Sequence, residues 1–351
     1  MAIPPGAIIP GSLPEFRIYI LSPTGSYILW AEDGNNVTPE RLTKLGQSGG
    51  KEVFVDLDEE LKYEEYLEEN LGNILDNDLP SNEQKAEIFS RVSTNVVKDA
   101  FRTSLGMGTM DEDALRRTQQ MIKNAIKFIT ESNSLRALTK MIGHDYQTYE
   151  HATKVLWFTV AFLRDNPDVV KRIDPLYEEY DSSQKKEMLR QCGVAALLHD
   201  IGKAFISQEV LNKDGPLNDV EWEMVKRHPL SGLAMLVDTD VPAFVKKAVL
   251  HHHEDFDGGG YPMRIEGPNI SELARVLRIV DVFDAMTSSR PYKAAIPPLE
   301  AAQIMTRSAG LAATEGDDAA VDQRDQGMRR CFDDRLLRKF ILFLGNMRLN
   351  E

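Results

Sequence analysis

Cysteine is nearly absent from this chain of 351 residues: Cys192 and Cys331 are the only two. That excludes a disulfide framework, and a reducing cytoplasm is the expected setting. No apolar run reaches the length of a membrane span, so no membrane partner is expected. The opening MAIPPGAIIPGSLPEF has no basic segment ahead of an apolar one, so no secretory leader is expected. Positive charge is also scarce: 41 Lys and Arg stand against 55 Asp and Glu, for a formal net charge of −14. A field of that sign repels polyanions, and DNA is not an expected partner. A phosphate substrate stays compatible with it if a local positive site, most simply a metal ion, overrides the global sign. What is present, 42% hydrophobic and 27% charged residues, is a globular composition for one large or two ordinary domains.

Periodicity divides the chain. PEFRIYIL and SYILWAEDG are β-rich and joined by SPTGS, whose Gly25 suits a tight hairpin. Thr38-Pro39 reads as an N-cap followed by proline at the first helical position, and KEVFVDL as a third strand. In LKYEEYLEENLGNIL, residues Leu61, Leu67, Leu71, Ile74 and Leu75 recur at helical spacing and predict a packed amphipathic helix. DNDLPSNEQ is the linker candidate. Beyond it the pattern is helical almost throughout; GLAATEGDDAAVDQRDQG, 310 to 327, is small, acidic and aperiodic and reads as a mobile loop. The expected architecture is mainly α: a small α/β N-terminal domain over 1–80, connecting helices over 81–140 that could pair between subunits, and a helical domain over 141–351.

All seven histidines lie between His144 and His253, and this crowding directs attention to metal chemistry. In MLRQCGVAALLHDIGK, residues Met188, Cys192, Ala195 and Leu198 form an apolar stripe that delivers His199 and Asp200 to a helix end, where Gly202 breaks the helix. Diverging side chains there present a nitrogen to one metal and a carboxylate that can bridge to a second. In NDVEWEMVKRHPLSG, Asn218 and Glu221 form a capping box, placing His228 near the far end of that helix. AFVKKAVL feeds into His251, His252 and His253, and Gly258–Gly260 let the backbone leave helical geometry so that neighbouring rings reach one ion. Asp255 and Asp257 suit the turn better than ligation. In ISELARVLRIVDVFDAMTSSRPYK, Asn269 and Glu272 suggest another capping box, and Asp281 shares the inward side with Leu277 and Ala274. A carboxylate there needs a partner. Asp284 could support the ligands from behind, and Arg290 and Lys293 are cations past the helix end. His151 shares its face with Val155, Phe158 and Phe162 and by itself reads as a core histidine.

Taken together these are imidazoles and carboxylates without thiolates, a set that suits Fe, Mn, Zn, Co or Ni and argues against a structural thiolate zinc site. They are too many for one ion. Two metals sharing a carboxylate, about 3.5–4 Å apart, serve in-line phosphoryl displacement.

HDIGK (199–203), HPLSG (228–232), HHEDFDGGGYP (252–262) and DVFDAMTSSRPYK (281–293) together closely resemble the HD-GYP domain, a subgroup of the HD-type metal-dependent phosphohydrolases. The likeness covers about residues 140–345, and the unit ahead of it more weakly resembles the small α/β domain found before some of these domains. The resemblance implies an all-helical HD-type bundle with divalent metals, iron or manganese, that hydrolyses cyclic di-GMP to pGpG and onward to GMP. One metal would be held by His151, His199, Asp200 and Asp281, the other by Asp200, His228, His252 and His253. Lys203, Arg290 and Lys293 would contact phosphate. Gly260, Tyr261 and Pro262 would form pocket wall and a surface for diguanylate cyclases. Two departures stand out. Gln147 occupies the place of a glutamate that holds a third metal in some members, so two ions are expected. His199 also lies 48 positions after His151, with PDVVKRIDPLYEEYDSSQKK as the apparent insertion. His144 and His251 have no role in the family. Another cyclic dinucleotide or a nucleotide as substrate of the same two-metal site, or a weakly active cyclic di-GMP sensor or docking protein, are the alternatives.

Overall fold

The computed structural model describes residues 1–347 apart from 13, 23, 33–36, 48–52, 131–147, 214, 290–293 and 308–327. The acidic segment 310–327, Gln147, His144, Arg290 and Lys293 therefore lie outside the described residues. The chain forms two compact units. The first holds Met1–Ser93 and the end of a helix from Lys123; the second holds Thr94–Ile122 and the rest of the described chain.

In the first unit, strands β1 (Ala2–Ile3), β2 (Ile18–Leu21), β3 (Tyr27–Ala31) and β4 (Val53–Val55) form an antiparallel sheet in the order β1-β4-β2-β3. The hairpin between β2 and β3 closes as expected, with Gly25 at φ +83° and its N–H donated to the Ser22 carbonyl at 2.9 Å. Thr38 caps α1 (Pro39–Gln47) by accepting from the Arg41 N–H at 3.3 Å. Strand β1 was not foreseen. It is two residues long and followed by prolines, so it carries no readable alternation. Ile18, Val53 and Val55 turn one sheet face inward. Helix α2 (Glu60–Asp76) buries Leu67, Leu71, Ile74 and Leu75 as its period implied, but Leu61 is 79% exposed. Tyr63 and Tyr66 take the inward place, their rings edge-on to Phe16 at 5.5 and 5.4 Å.

Helices α3 (Asn82–Met107) and α4 (Glu112–Ile129) contribute residues to both units. The second unit is otherwise built from α5 (Thr148–Asp165), α6 (Pro167–Ile173), α7 (Ser182–Leu198), α8 (Gln208–Leu211), α9 (Asp219–Val225), α10 (His228–Leu236), α11 (Ala243–His251), α12 (Glu272–Thr287), α13 (Pro298–Thr306) and α14 (Asp334–Asn346). No strand occurs among its described residues. The middle of α5 and the C-terminal half of α7 are buried on every side and lie against each other in the core. Phe158 of α5 meets Phe283 of α12 at 5.6 Å, and Phe340 of α14 sits 5.4 Å from Phe283. Full burial of each such ring is worth roughly 2 kcal/mol. These contacts fix the spacing of α5 and α12, the helices that carry His151 and Asp281.

The insertion after His151 forms α6 and a short 3-10 turn, Pro175–Glu179. Asp168, Lys171, Arg172 and Pro175 line an open cleft of about 580 Å³ with Glu272 and Arg275. None of the candidate metal ligands borders that cleft.

Candidate metal centre

Five segments of the helical unit converge on one buried spot. His199 is the C-cap of α7, and Asp200 follows where the chain tightens into a 3-10 turn, Ile201–Phe205. Gly202 lies within that turn at an ordinary φ, so breaking the helix is not its main service. A Cβ there would fall 2.0 Å from the His228 carbonyl oxygen and 2.5 Å from the Gly232 nitrogen. Only glycine lets the His-Asp turn lie against the start of α10. Gly202→Ala is accordingly expected to destabilise the protein by about 3 kcal/mol, the upper range for overpacking, and to part Asp200 from His228; chemical denaturation with and without Mn(II) would measure both effects.

His228 does not end the preceding helix. Helix α9 keeps its Asn218–Glu221 capping box but stops at Val225, and His228 opens α10 with Pro229 in the first turn, where a missing N–H costs nothing. Helix α11 ends at His251; His252 is its cap, and the backbone departs there as the glycine run suggested, leaving the His252 and His253 rings 4.1 Å apart. Helix α12 is capped by Ser271, whose hydroxyl accepts from the Ala274 N–H, and not by Asn269. His251 accepts the Ser271 N–H at 3.3 Å, a structural task.

The donor atoms fall into two groups that share Asp200. Its Oδ1 lies 3.1 Å from His228 Nε2 and 3.7 Å from His252 Nε2, with His253 in the same group. Its Oδ2 lies 3.4 Å from His199 Nε2 and 4.0 Å from His151 Nε2. Asp281 stands between the groups, Oδ1 at 3.1 Å from His151 Nε2 and Oδ2 at 3.7 Å from His253 Nδ1. All seven expected ligands are thus brought together.

The outward ring nitrogens are held from behind. Nδ1 of His199, His228 and His252 each lie 2.7 Å from a backbone carbonyl oxygen, those of Ala196, Val225 and Val249. Each Nδ1 therefore carries the proton, and each Nε2 turns a lone pair inward. His228 Nε2 and His252 Nε2 then face each other at 3.1 Å with no proton to share. Among the described residues, His199 Nε2, Asp200 Oδ1 and His253 Nδ1 are buried with no hydrogen-bond partner. Burial lowers His228, pushes His252 down to about 4 and holds His253 well below the usual imidazole value, so these rings stay neutral. Burial alone would raise Asp200, but the Lys203 cation at hydrogen-bond distance outweighs it and holds Asp200 well below the carboxylate range. Burial alone would raise Asp281 too, yet it is held well below the carboxylate range. Lone pairs and negative charges aimed at one dry spot repel unless a cation takes them up. The residues fit divalent metal.

Lys203 Nζ donates to Asp200 Oδ2 at 2.6 Å, and its side chain is 17% exposed. The loop 258–262 folds back over the two histidines: Tyr261 N–H donates to the His253 carbonyl at 3.1 Å, and its ring lies 4.8 Å from that of His253. Gly260 permits this, since a Cβ would meet the Asp255 nitrogen at 2.2 Å. Trp222, not singled out from sequence, stands edge-on to Tyr261 at 6.1 Å and is 45% exposed. Glu254 was also missed. Its buried carboxylate accepts the N–H groups of Met263, Arg264 and Ile265 and pins the segment after Pro262. Asp255 does more than shape the turn, because Arg278, one turn before Asp281, binds its Oδ1 at 2.8 Å.

A helical unit that gathers histidines and aspartates from five segments around a shared HD aspartate defines an HD-type domain, and residues 172–313 match the HD domain family. The chain is 30% identical over 302 residues to the Pseudomonas aeruginosa protein named cyclic di-GMP phosphodiesterase PA4108, covering 81% of this chain and 68% of that one. It is 40% identical over 111 residues to 3′3′-cGAMP-specific phosphodiesterase 3 of Vibrio cholerae, covering 32% and 24%. Among solved structures, Bd1817, an HDG"Y"P protein from Bdellovibrio bacteriovorus, shares the fold with a TM-score of 0.59 at 16% identity, covering 98% of this chain and 99% of that one. This chain belongs to the HD-GYP family.

Proposed function

We propose that the chain is a metal-dependent phosphodiesterase that hydrolyses cyclic di-GMP to pGpG and then to GMP. The observation that carries the reading is Asp200: one buried carboxylate common to two donor groups, with Oδ1 facing imidazole lone pairs. His151, His199, Asp200 and Asp281 would hold one ion and Asp200, His228, His252 and His253 the other, iron or manganese by the donor set. Bound there, two ions supply Lewis-acid polarisation of the phosphodiester and a water acidic enough to attack at neutral pH. The chain's own residues then bind and orient the ester. Lys203, already beside Asp200 and partly open to solvent, offsets charge on a non-bridging phosphate oxygen. Burial raises the Tyr261 phenol, so it stays protonated as a donor in the pocket wall. Arg290 and Lys293 would contact the substrate's phosphates, as the family resemblance implies. The names of the relatives support a cyclic dinucleotide as substrate.

The same reading places a regulatory α/β domain over 1–80, connecting helices over 81–140 that pair two chains, and the phosphodiesterase domain over 141–351. It gives the loop at Gly260–Pro262 a docking role toward diguanylate cyclases and sets the protein in the cytoplasm. A second substrate is favoured by the Vibrio cholerae relatives whose names specify 3′3′-cGAMP. Protein purified without oxygen and loaded with Fe(II) or Mn(II) would be incubated with each dinucleotide and the products separated by chromatography. Accumulation of pGpG followed by GMP is the expected outcome; saturable binding with no product would reduce the protein to a sensor and end the proposal.

A further inference from the structure

A lysine is buried one turn beyond His151. Lys154 is 3% exposed, the one Lys, Arg, Asp or Glu in the buried stretch 151–163. Its Nζ donates to Ser288 Oγ at 3.1 Å, and Ser288 Oγ donates to Asp284 Oδ1 at 3.2 Å. Asp284 Oδ2 then lies 2.7 Å from His151 Nδ1. Ser288, Asp284 and His151 are each 1% exposed. The row ties α5 to the last turn of α12 at two points.

The direction of every hydrogen bond in this row follows from its first member. A lysine has donors and no acceptor, so Ser288 Oγ must accept from it and turn its own proton toward Asp284. Both Asp284 oxygens are then supplied with donors, and His151 must carry its proton on Nδ1. That leaves a lone pair on Nε2, which faces Asp281 Oδ1 at 3.1 Å. Were the tautomer reversed, His151 would donate to Asp281 and close the position to an ion. Resting on the metal-centre reading above, we propose that Lys154 and Ser288 are positioning residues: acting through Asp284, they lock His151 in the tautomer and orientation that bind metal. Neither residue touches the cluster's open face, so their effect falls on metal affinity ahead of turnover.

The test uses the full chain with Mn(II) as probe. Supporting groups behind metal-binding histidines typically contribute about 10- to 100-fold in affinity. Lys154→Met and Ser288→Ala are each expected to weaken Mn(II) binding about tenfold by calorimetric titration, and the double variant no further than the weaker single one, because both act along one row. In metal-free protein labelled with nitrogen-15 at histidine, His151 is expected to show the Nδ1-protonated pattern, and a mixture of tautomers in either variant. Unchanged affinity and an unchanged tautomer, or losses that simply add, would overturn the proposal while leaving the metal centre intact. Wild-type protein that takes up no Mn(II) would instead undercut the metal-centre reading itself. If Lys154→Met does not fold, Ser288→Ala decides the matter, since it removes one buried oxygen and little volume.

Discussion

Asp200→Ala is expected to abolish loading of both halves of the cluster at once and to lower cyclic di-GMP turnover at least about a thousandfold, or about 4 kcal/mol of transition-state stabilisation. The size of the effect follows from the place of the residue. Every other candidate ligand except Asp281 belongs to one donor group, whereas Asp200 belongs to both. Its carboxylate also neutralises the Lys203 ammonium at hydrogen-bond distance. Removing it leaves neutral imidazoles around a space with one negative charge fewer, and leaves the Lys203 ammonium in place to repel incoming cations. Asn at the same position would not rescue it, because an amide nitrogen would point donors at Lys203 or at the rings. His228→Ala makes the informative contrast: it removes a donor from one group alone and is expected to halve the metal content. Emission spectrometry on anaerobically purified variants, paired with a product assay, reads all of this. An Asp200→Ala protein that retained two metals would show that the shared carboxylate is not the bridge.

Most of the residues that converge here stood out in the sequence by their settings, while His151 was added by the family resemblance alone. A carboxylate on the inward side of an apolar helix, as at Asp281, is too costly to bury without a cation or donor to meet it. Two histidines ahead of three glycines join neighbouring ring nitrogens to a backbone free to turn both toward one ion. The helices were legible from period, and so was the hairpin at Gly25. What escaped was whatever depends on a distant neighbour. Gly202 reads locally as a helix breaker, but its importance is the His228 carbonyl 2.0 Å from its would-be Cβ, a contact between segments well separated along the chain. His228 reads as a helix end because the capping box at Asn218 opens a helix ten residues earlier, although Pro229 serves equally well in a first turn. The Asn269 cap fails because Ser271, two residues on, offers the same chemistry nearer the first turn. Leu61 fits the apolar period of α2 but lies in its first turn, where the inward side is already filled by Tyr63. Lys154 leaves a signal in the sequence too: it is the one Lys, Arg, Asp or Glu in the stretch 151–163, a turn away from His151.

Chelation is expected to lower the unfolding temperature of the metal-loaded protein by on the order of 10 °C at neutral pH, and Mn(II) to restore it. A ligand that binds the folded state alone stabilises it by RT ln(1 + [L]/Kd), about 4 kcal/mol per ion at a thousandfold excess over Kd. For a domain of this size each kcal/mol moves the midpoint by about 2–4 °C. Such coupling arises here because the cluster exists only when α5, α7, α10, α11 and α12 are assembled, so the unfolded chain has no comparable site. The metal-free fold meanwhile carries two ionised carboxylates and inward lone pairs with nothing between them. His228 Nε2 and His252 Nε2 at 3.1 Å are the plainest instance, and burial denies them water as a substitute. Asp200→Ala separates this effect from general ion binding at the acidic surface. The variant should melt at the same temperature with and without chelator, because the surface charge is nearly unchanged while the shared donor is gone. Calorimetric scans of the two proteins, each with EDTA and with Mn(II), give the four midpoints needed. Equal shifts in both would assign the stabilisation to surface ions and leave the buried cluster without a measurable share in the folding energy.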